Sequence, residues 1–317
     1  MVWMMVLASC DNEKEDSRFS EVLNQQPLSY LTDSIKKEPG RDELFFRRAV
    51  LLNSNNLPEP ALDDFRKAWS INEQENYALG ISNILMEKNP DSAIQFLHAA
   101  VKELPTSIFL QIRLARAYEA KNKTDEALSV CDQILQIDST QINTLVLKSE
   151  LLEKKKDTSG SIALLEKVNV LIPENLEMAN RLAYLYAESR DPKTIGFCDK
   201  MISRDSLRLH AEPYYVKGVY YTNIGEKGKA IQLFNETISR DHRFLNAYIE
   251  KGKIQLDQNK TSDALKTFQL VNTISPAFAD AWYWIAQCQE KLGQKEDAKL
   301  NYEKAYSLDK TFSEAKE

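Results

Sequence analysis

Along this chain a small residue is followed four positions later by a bulky one and three later by a third packing residue, and the set returns with a period near 34 residues. The sets are Ala61, Phe65 and Ala68; Ala93, Leu97 and Ala100; Ala127, Cys131 and Ile134; Ser161, Leu165 and Val168; Thr194, Cys198 and Met201; Ala230, Phe234 and Thr237; Ala264, Phe268 and Val271; and a last one opening at Ala298. Successive first members lie 32, 34, 34, 33, 36, 34 and 34 residues apart. Spacings of four and three mark one face of a helix. A period of this length, sustained to the end of the chain, requires stacked helical units, each covering the apolar face of the next. A second small residue stands about twelve positions earlier in each unit: Ala49, Ala115, Ser149, Ala183, Gly218, Gly252 and Ala286. The unit around Tyr77 departs, with Ile81 at that place and Gly80 beside it. Small side chains at both places let the two helices of a pair cross closely, and large neighbours such as Tyr118, Tyr186, Tyr221 and Tyr302 fill the flanks. Pro105, Pro173 and Pro276 are placed to end second helices. Asn122-Lys123, Gly225-Glu226 and Gly293-Gln294 are placed to turn between helices.

With 9 Gly and 10 Pro in 317 residues, the chain lacks the punctuation of tight-turned strands, and an all-α fold follows. A net charge of -6 and the lack of any Lys/Arg block argue against nucleic-acid binding as the main activity. The four cysteines, Cys10, Cys131, Cys198 and Cys288, form no CxxC pair, and His98, His210 and His242 stand far apart, so no metal site is expected. Cys131 and Cys198 hold the bulky position of second helices two units apart, too distant for a disulfide, and are read as buried free thiols. No HExxH, GxSxG, phosphate-binding glycine loop or paired nucleophile and base is present, so neither catalysis nor a cofactor is expected.

The stretch "AWYWIAQCQEKLGQKEDAKLNYEKAYSLD", with "AYIEKGKIQLDQNKTSDALKTFQLVNTISP" and "PYYVKGVYYTNIGEKGKAIQLFNETISRD", resembles the tetratricopeptide repeat family. The resemblance implies a right-handed superhelical solenoid of about eight helix-turn-helix repeats over residues 42–312. The segment 20–41, containing "PLSYLTDSIKKEPG", is then an N-terminal half-repeat, and 313–317 a tail. It also implies a concave groove, lined by first helices, that grips a protein or peptide partner. Carried onto this chain, the inward positions include Phe46, Ile112, Arg116, Asn180, Tyr184, Tyr215, Val219, Ile249, Lys253, Tyr283 and Gln287. Asn180, Tyr184, Tyr215, Lys253, Tyr283, Arg116 and Gln287 are the candidate partner-binding residues. Aromatic and cationic side chains are favoured at binding hot spots. Arg113 and Arg116 form a second cationic spot, or pair with Glu119 or Glu150 across adjacent first helices.

The opening "MVWMMVLASCDNEKED" is unlike the rest. Leu7-Ala8-Ser9-Cys10 resembles the lipobox of bacterial lipoproteins, which implies a signal peptide over 1–9, lipidation of Cys10 and an acidic tether over 10–19. No Lys or Arg precedes the apolar run, unlike an ordinary signal peptide. The expectation is a membrane-tethered interaction scaffold of the bacterial cell envelope, on the inner or the outer membrane, acting in assembly, secretion or regulation. The alternatives are a cytoplasmic adaptor without lipid and a glycan-binding outer-membrane lipoprotein. The latter needs long loops, and only "SRDSLRLHAEP" is extended.

Overall fold

The computed structural model describes residues 19, 21–205, 207 and 209–312. The expected leader at 1–9, Cys10, the tether up to residue 18 and the tail at 313–317 lie outside the described residues. The described chain is all-α, without a strand, and divides between Asp157 and Thr158 into two compact units. The first unit holds Leu28–Lys37, the pairs Asp42–Ser54 with Pro58–Ile71, Glu75–Lys88 with Pro90–Glu103 and Ile108–Ala120 with Thr124–Ile137, and then Ile142–Lys154. The second opens on Thr158–Leu171 and continues through four pairs: Leu176–Glu188 with Lys193–Arg204, Glu212–Asn223 with Lys227–Arg240, Leu245–Asp257 with Thr261–Ile274, and Ala279–Lys291 with Lys295–Leu308.

The repeated small residues sit where the spacing places them. Ala61, Ala93, Ala127, Ser161, Thr194, Ala230 and Ala264 of second helices are fully buried, as are Ala49, Ala115, Ser149, Ala183 and Ala286 of first helices. The bulky partners Leu97, Cys131, Leu165, Cys198, Phe234 and Phe268 are fully buried too. At Gly218 and Gly252 the approach is closest. A Cβ there would lie 2.5 Å from the Phe234 ring and 2.4 Å from the Phe268 ring, so no side chain fits. In the departing unit Gly80 makes a close approach of another kind. Its missing Cβ makes room for Phe65 of the preceding second helix, which would otherwise approach to 2.6 Å. This close approach is to the preceding pair, whereas Gly218 and Gly252 meet the second helix of their own pair, and Ile81 is fully buried in the core.

Local signals set the helix ends. Ser107 Oγ accepts from Leu110 N (3.1 Å) and Asn175 Oδ1 from Met178 N (3.0 Å), satisfying N–H groups that a helix start leaves open. The turns within pairs put one residue in the left-handed region: Asn56, Asn122, Arg190, Gly225, Asn259 and Gly293. Asn and Gly tolerate that conformation best. Helices end at Glu103, Leu171 and Ile274, just ahead of Pro105, Pro173 and Pro276. Leu28–Lys37 lies on the first pair. Its Leu28 joins Ala49, Leu52 and Ala61 in one core cluster, and its Ile35 joins Leu44 and Phe45 in another. Cys131, Cys198 and Cys288 are buried and free, and burial pushes their thiols up to about 12, 12 and 11, where they are inert. No helix among the described residues is long and apolar enough to cross a membrane.

Candidate functional site

Four first helices of the second unit carry the richest surface. On Leu176–Glu188, helical spacing sets Glu177, Asn180, Tyr184 and Glu188 on one face; on Glu212–Asn223 it sets Glu212, Tyr215 and Val219. Leu245–Asp257 contributes Ile249, Glu250 and Lys253, and Ala279–Lys291 contributes Asp280, Tyr283 and Gln287. Charges on neighbouring helices act on one another here. Burial raises the Tyr184 phenol above its ordinary range, and the carboxylates of Glu188, Glu250 and Glu212 push it further. Tyr215 is raised by burial and by the same three glutamates. Acids on three successive first helices therefore act electrostatically on both tyrosines. Burial alone pushes the Glu212 carboxyl up, and no cation pairs with it among the described residues. Glu188 Oε1 accepts from Asn223 Nδ2 at 3.4 Å.

The structure corrects several placements. Tyr215 was placed on the open wall, but it is only 9% exposed, its ring packed 5.7 Å from Phe234 and 4.8 Å from Phe244. Val219 and Ile249 are buried as well. Tyr215 and Val219 share a core cluster with Phe234 and Phe244, and Ile249 one with Phe268, so they serve the stack. Tyr184 is 41% exposed and remains the open aromatic of the wall. Lys253 is not a free cation: its Nζ lies 2.7 Å from Glu250 and 5.8 Å from the Trp284 ring centroid. Tyr283 packs against Trp284, Tyr302 and Phe312, and its hydroxyl accepts from Gln287 Nε2 at 3.4 Å.

Arg116 lies in the first unit, where its Nη1 donates to Glu119 (2.9 Å) and Glu150 (2.6 Å). Glu119 also takes Lys154 at 2.5 Å. Of the two roles open to Arg116, free cationic spot or ion pair between first helices, the structure shows the pair. Burial acts to lower the Arg116 guanidinium, but the two glutamates more than offset it. Cys10 lies outside the described residues.

Sequence reasoning missed Glu188, Glu212 and Glu250, although each stands three or four residues from a side chain it selected. It also missed a cleft of about 340 Å³ that begins at Asn180. The cleft lies among the end of Thr158–Leu171, the start of Leu176–Glu188, the helix Lys193–Arg204 and the segment leading to Pro213. Leu176, Phe197, Met201 and Leu209 form its apolar walls, and Lys200 and His210 stand among its polar ones. The long connection is held by Asp205, whose carboxylate accepts from Leu209 N (3.1 Å) and His210 N (2.8 Å) and lies 3.3 Å from His210 Nδ1. Among the described residues no cluster of His, Cys, Asp and Glu could hold a metal ion.

Residues 85–146 and 279–312 match models of the tetratricopeptide repeat. The chain is 26% identical over 154 residues to tetratricopeptide repeat protein 21A of Homo sapiens, covering 48% of this chain and 12% of that protein. It is 23% identical over 245 residues to the DnaJ homolog subfamily C member 7 homolog of Dictyostelium discoideum, covering 75% and 41%. It thus spans less than half the length of either curated relative. Among solved structures, a tetratricopeptide repeat protein from Parabacteroides merdae aligns with a TM-score of 0.60 at 19% identity, covering 75% of this chain and 96% of that one. PilW, a type IV pilus biogenesis factor, aligns at 0.51 and 15% identity, covering 65% and 95%. At these identities the structures share a fold. The chain thus carries tetratricopeptide repeats in an all-helical repeat fold, a type of protein that generally binds other proteins.

Proposed function

We propose that this protein is a non-enzymatic interaction scaffold whose second unit holds a basic segment of a protein partner against the acidic first-helix wall. The observation that carries the proposal is the half-buried Glu212, which no cation among the described residues pairs with, and whose charge acts on Tyr184 and Tyr215 together with those of Glu188 and of Glu250, the last paired with Lys253. A carboxylate held partly out of water gains more from an arriving guanidinium or ammonium than one in bulk solvent. The exposed Tyr184 ring offers a face on which that cation can rest. Glu177 and Asp280 extend the acidic run at the starts of two of the four helices.

A labelled, blocked peptide of alternating Arg and Gly is the probe, titrated against the full chain by fluorescence anisotropy. Glu212→Lys is expected to weaken binding about tenfold, equal to 1.4 kcal/mol, and the pair Glu212→Lys with Glu250→Lys by more. Binding should also fall as salt rises, since part of the wall is exposed. An unchanged affinity in the double variant ends the assignment. As to place, we propose a bacterial cell envelope, with lipid on Cys10 tethering the scaffold. The support is the Leu7-Ala8-Ser9-Cys10 sequence and the acidic run after it. Metabolic palmitate labelling should mark the wild type and disappear in Cys10→Ala; labelling of neither leaves the cytoplasmic adaptor.

A further inference from the structure

We infer that Lys251 is a favoured site of covalent modification, a half-buried amine left without a carboxylate that takes an acyl group from a small acyl phosphate. Two matching lysines in other repeats show what it lacks.

Lysine stands immediately before the small first-helix residue at Lys148 (before Ser149), Lys217 (before Gly218) and Lys251 (before Gly252). On the preceding second helix, the residue after the bulky packing position is Asp132 in the first case and Asp199 in the second, following Cys131 and Cys198. Each aspartate meets its lysine. Lys148 Nζ lies 2.5 Å from Asp132 Oδ1, and Lys217 Nζ lies 2.6 Å from Asp199 Oδ1. In the third case that place belongs to Asn235, following Phe234. An amide carries no charge, and Lys251 has no ion pair among the described residues. All three lysines are half-buried, so the carboxylate is the difference between them.

A half-buried ammonium loses hydration, and at Lys251 no counter-charge offsets the loss. Burial accordingly lowers the Lys251 amine below its ordinary range, with no neighbouring charge acting against it. More of it is then the neutral amine, the form whose lone pair attacks a carbonyl. At Lys148 and Lys217 a charge-assisted hydrogen bond must break before the nitrogen is released for attack.

In the reaction the Lys251 nitrogen attacks the acyl carbon. A C–N amide bond forms, the bond from that carbon to the bridging phosphate oxygen breaks, and inorganic phosphate leaves with the electron pair. The amine proton passes to solvent, and nothing is oxidised or reduced. The product is neutral and removes a charge that no carboxylate was balancing. The same change at Lys148 or Lys217 would strip a partner from an aspartate.

The probe is acetyl phosphate, added to the full chain at mildly alkaline pH, with acetylation at each lysine followed over time by mass spectrometry. Each rate is divided by that of the same lysine in the chain unfolded in guanidinium chloride, which removes the effect of local sequence. The normalised rate at Lys251 is expected to exceed those at Lys148, at Lys217 and at the exposed, unpaired Lys299 by about threefold or more. Asn235→Asp should lower Lys251 to the level of Lys148 and Lys217. Asp132→Asn should raise Lys148 alone, a gain at one site that misfolding does not produce, since unfolding frees every lysine together. Two outcomes overturn the inference: a rate at Lys251 no higher than at the other three lysines, or a rate there that Asn235→Asp leaves as it was.

Discussion

Arg48→Met is expected to lower the stability of the first unit by about 3 kcal/mol, measured by chemical denaturation. Arg48 and Asp64 are 7% and 5% exposed, and they join helices Asp42–Ser54 and Pro58–Ile71 through two parallel bonds of 2.7 Å, Nε to Oδ2 and Nη2 to Oδ1. Arg48 Nη1 also donates to Thr32 Oγ1 at 3.1 Å, reaching the helix Leu28–Lys37. A forked guanidinium fits a carboxylate in this way, and a lysine does not. Removing the arginine leaves Asp64 charged in a poorly hydrated site. The cost is put at the lower end of the usual range because a cleft lined by both residues lets water reach one side. The double variant Arg48→Met with Asp64→Leu should recover most of the loss, since no charge is then left behind. A single variant costing under about 1 kcal/mol would show that the pair adds little.

Phe268→Ala should cost about 3–5 kcal/mol, and Gly252→Ala about 1–2 kcal/mol, each read from the unfolding of the second unit. The Phe268 ring is fully buried, stacked on Trp284 at 5.9 Å and 20°, and its edge occupies the place of a Cβ at residue 252. Overpacking there costs more than the roughly 1 kcal/mol that alanine returns in helix propensity. The same contact predicts coupling. Gly252→Ala in a Phe268→Leu background should be nearly neutral or stabilising, because the obstructing ring edge has gone. Costs that simply add would mean that the two residues do not compete for the space.

Much of this architecture is legible in the linear chain because packing of paired helices imposes local spacing. Ala61 and Phe65, or Ala264 and Phe268, reveal themselves four residues apart since one helical turn brings them to one face. The exception is as instructive. Ile81 looks like a lapse from the pattern, and only the structure shows that the Gly80 beside it makes a close approach of its own, to Phe65 of the preceding pair. The binding surface was less legible. Tyr184 stands one residue after the small Ala183 and Tyr215 three before the small Gly218, about one helical turn apart in the repeat, and Phe234 and Phe244 pack on Tyr215 while Tyr184 stays open.

By itself the sequence determined the helix pairs, their period, the small residues at their crossings and the turns between them, all set by neighbours within about one helical turn or one repeat. Only the tertiary structure decided which inward side chains remain open, that Arg116 and Lys253 are already neutralised by glutamates, and that the segment before Pro213 frames a cleft at Asn180. Exposure and net charge at a site depend on the size and sign of side chains brought in from other helices, and a period carries no record of those.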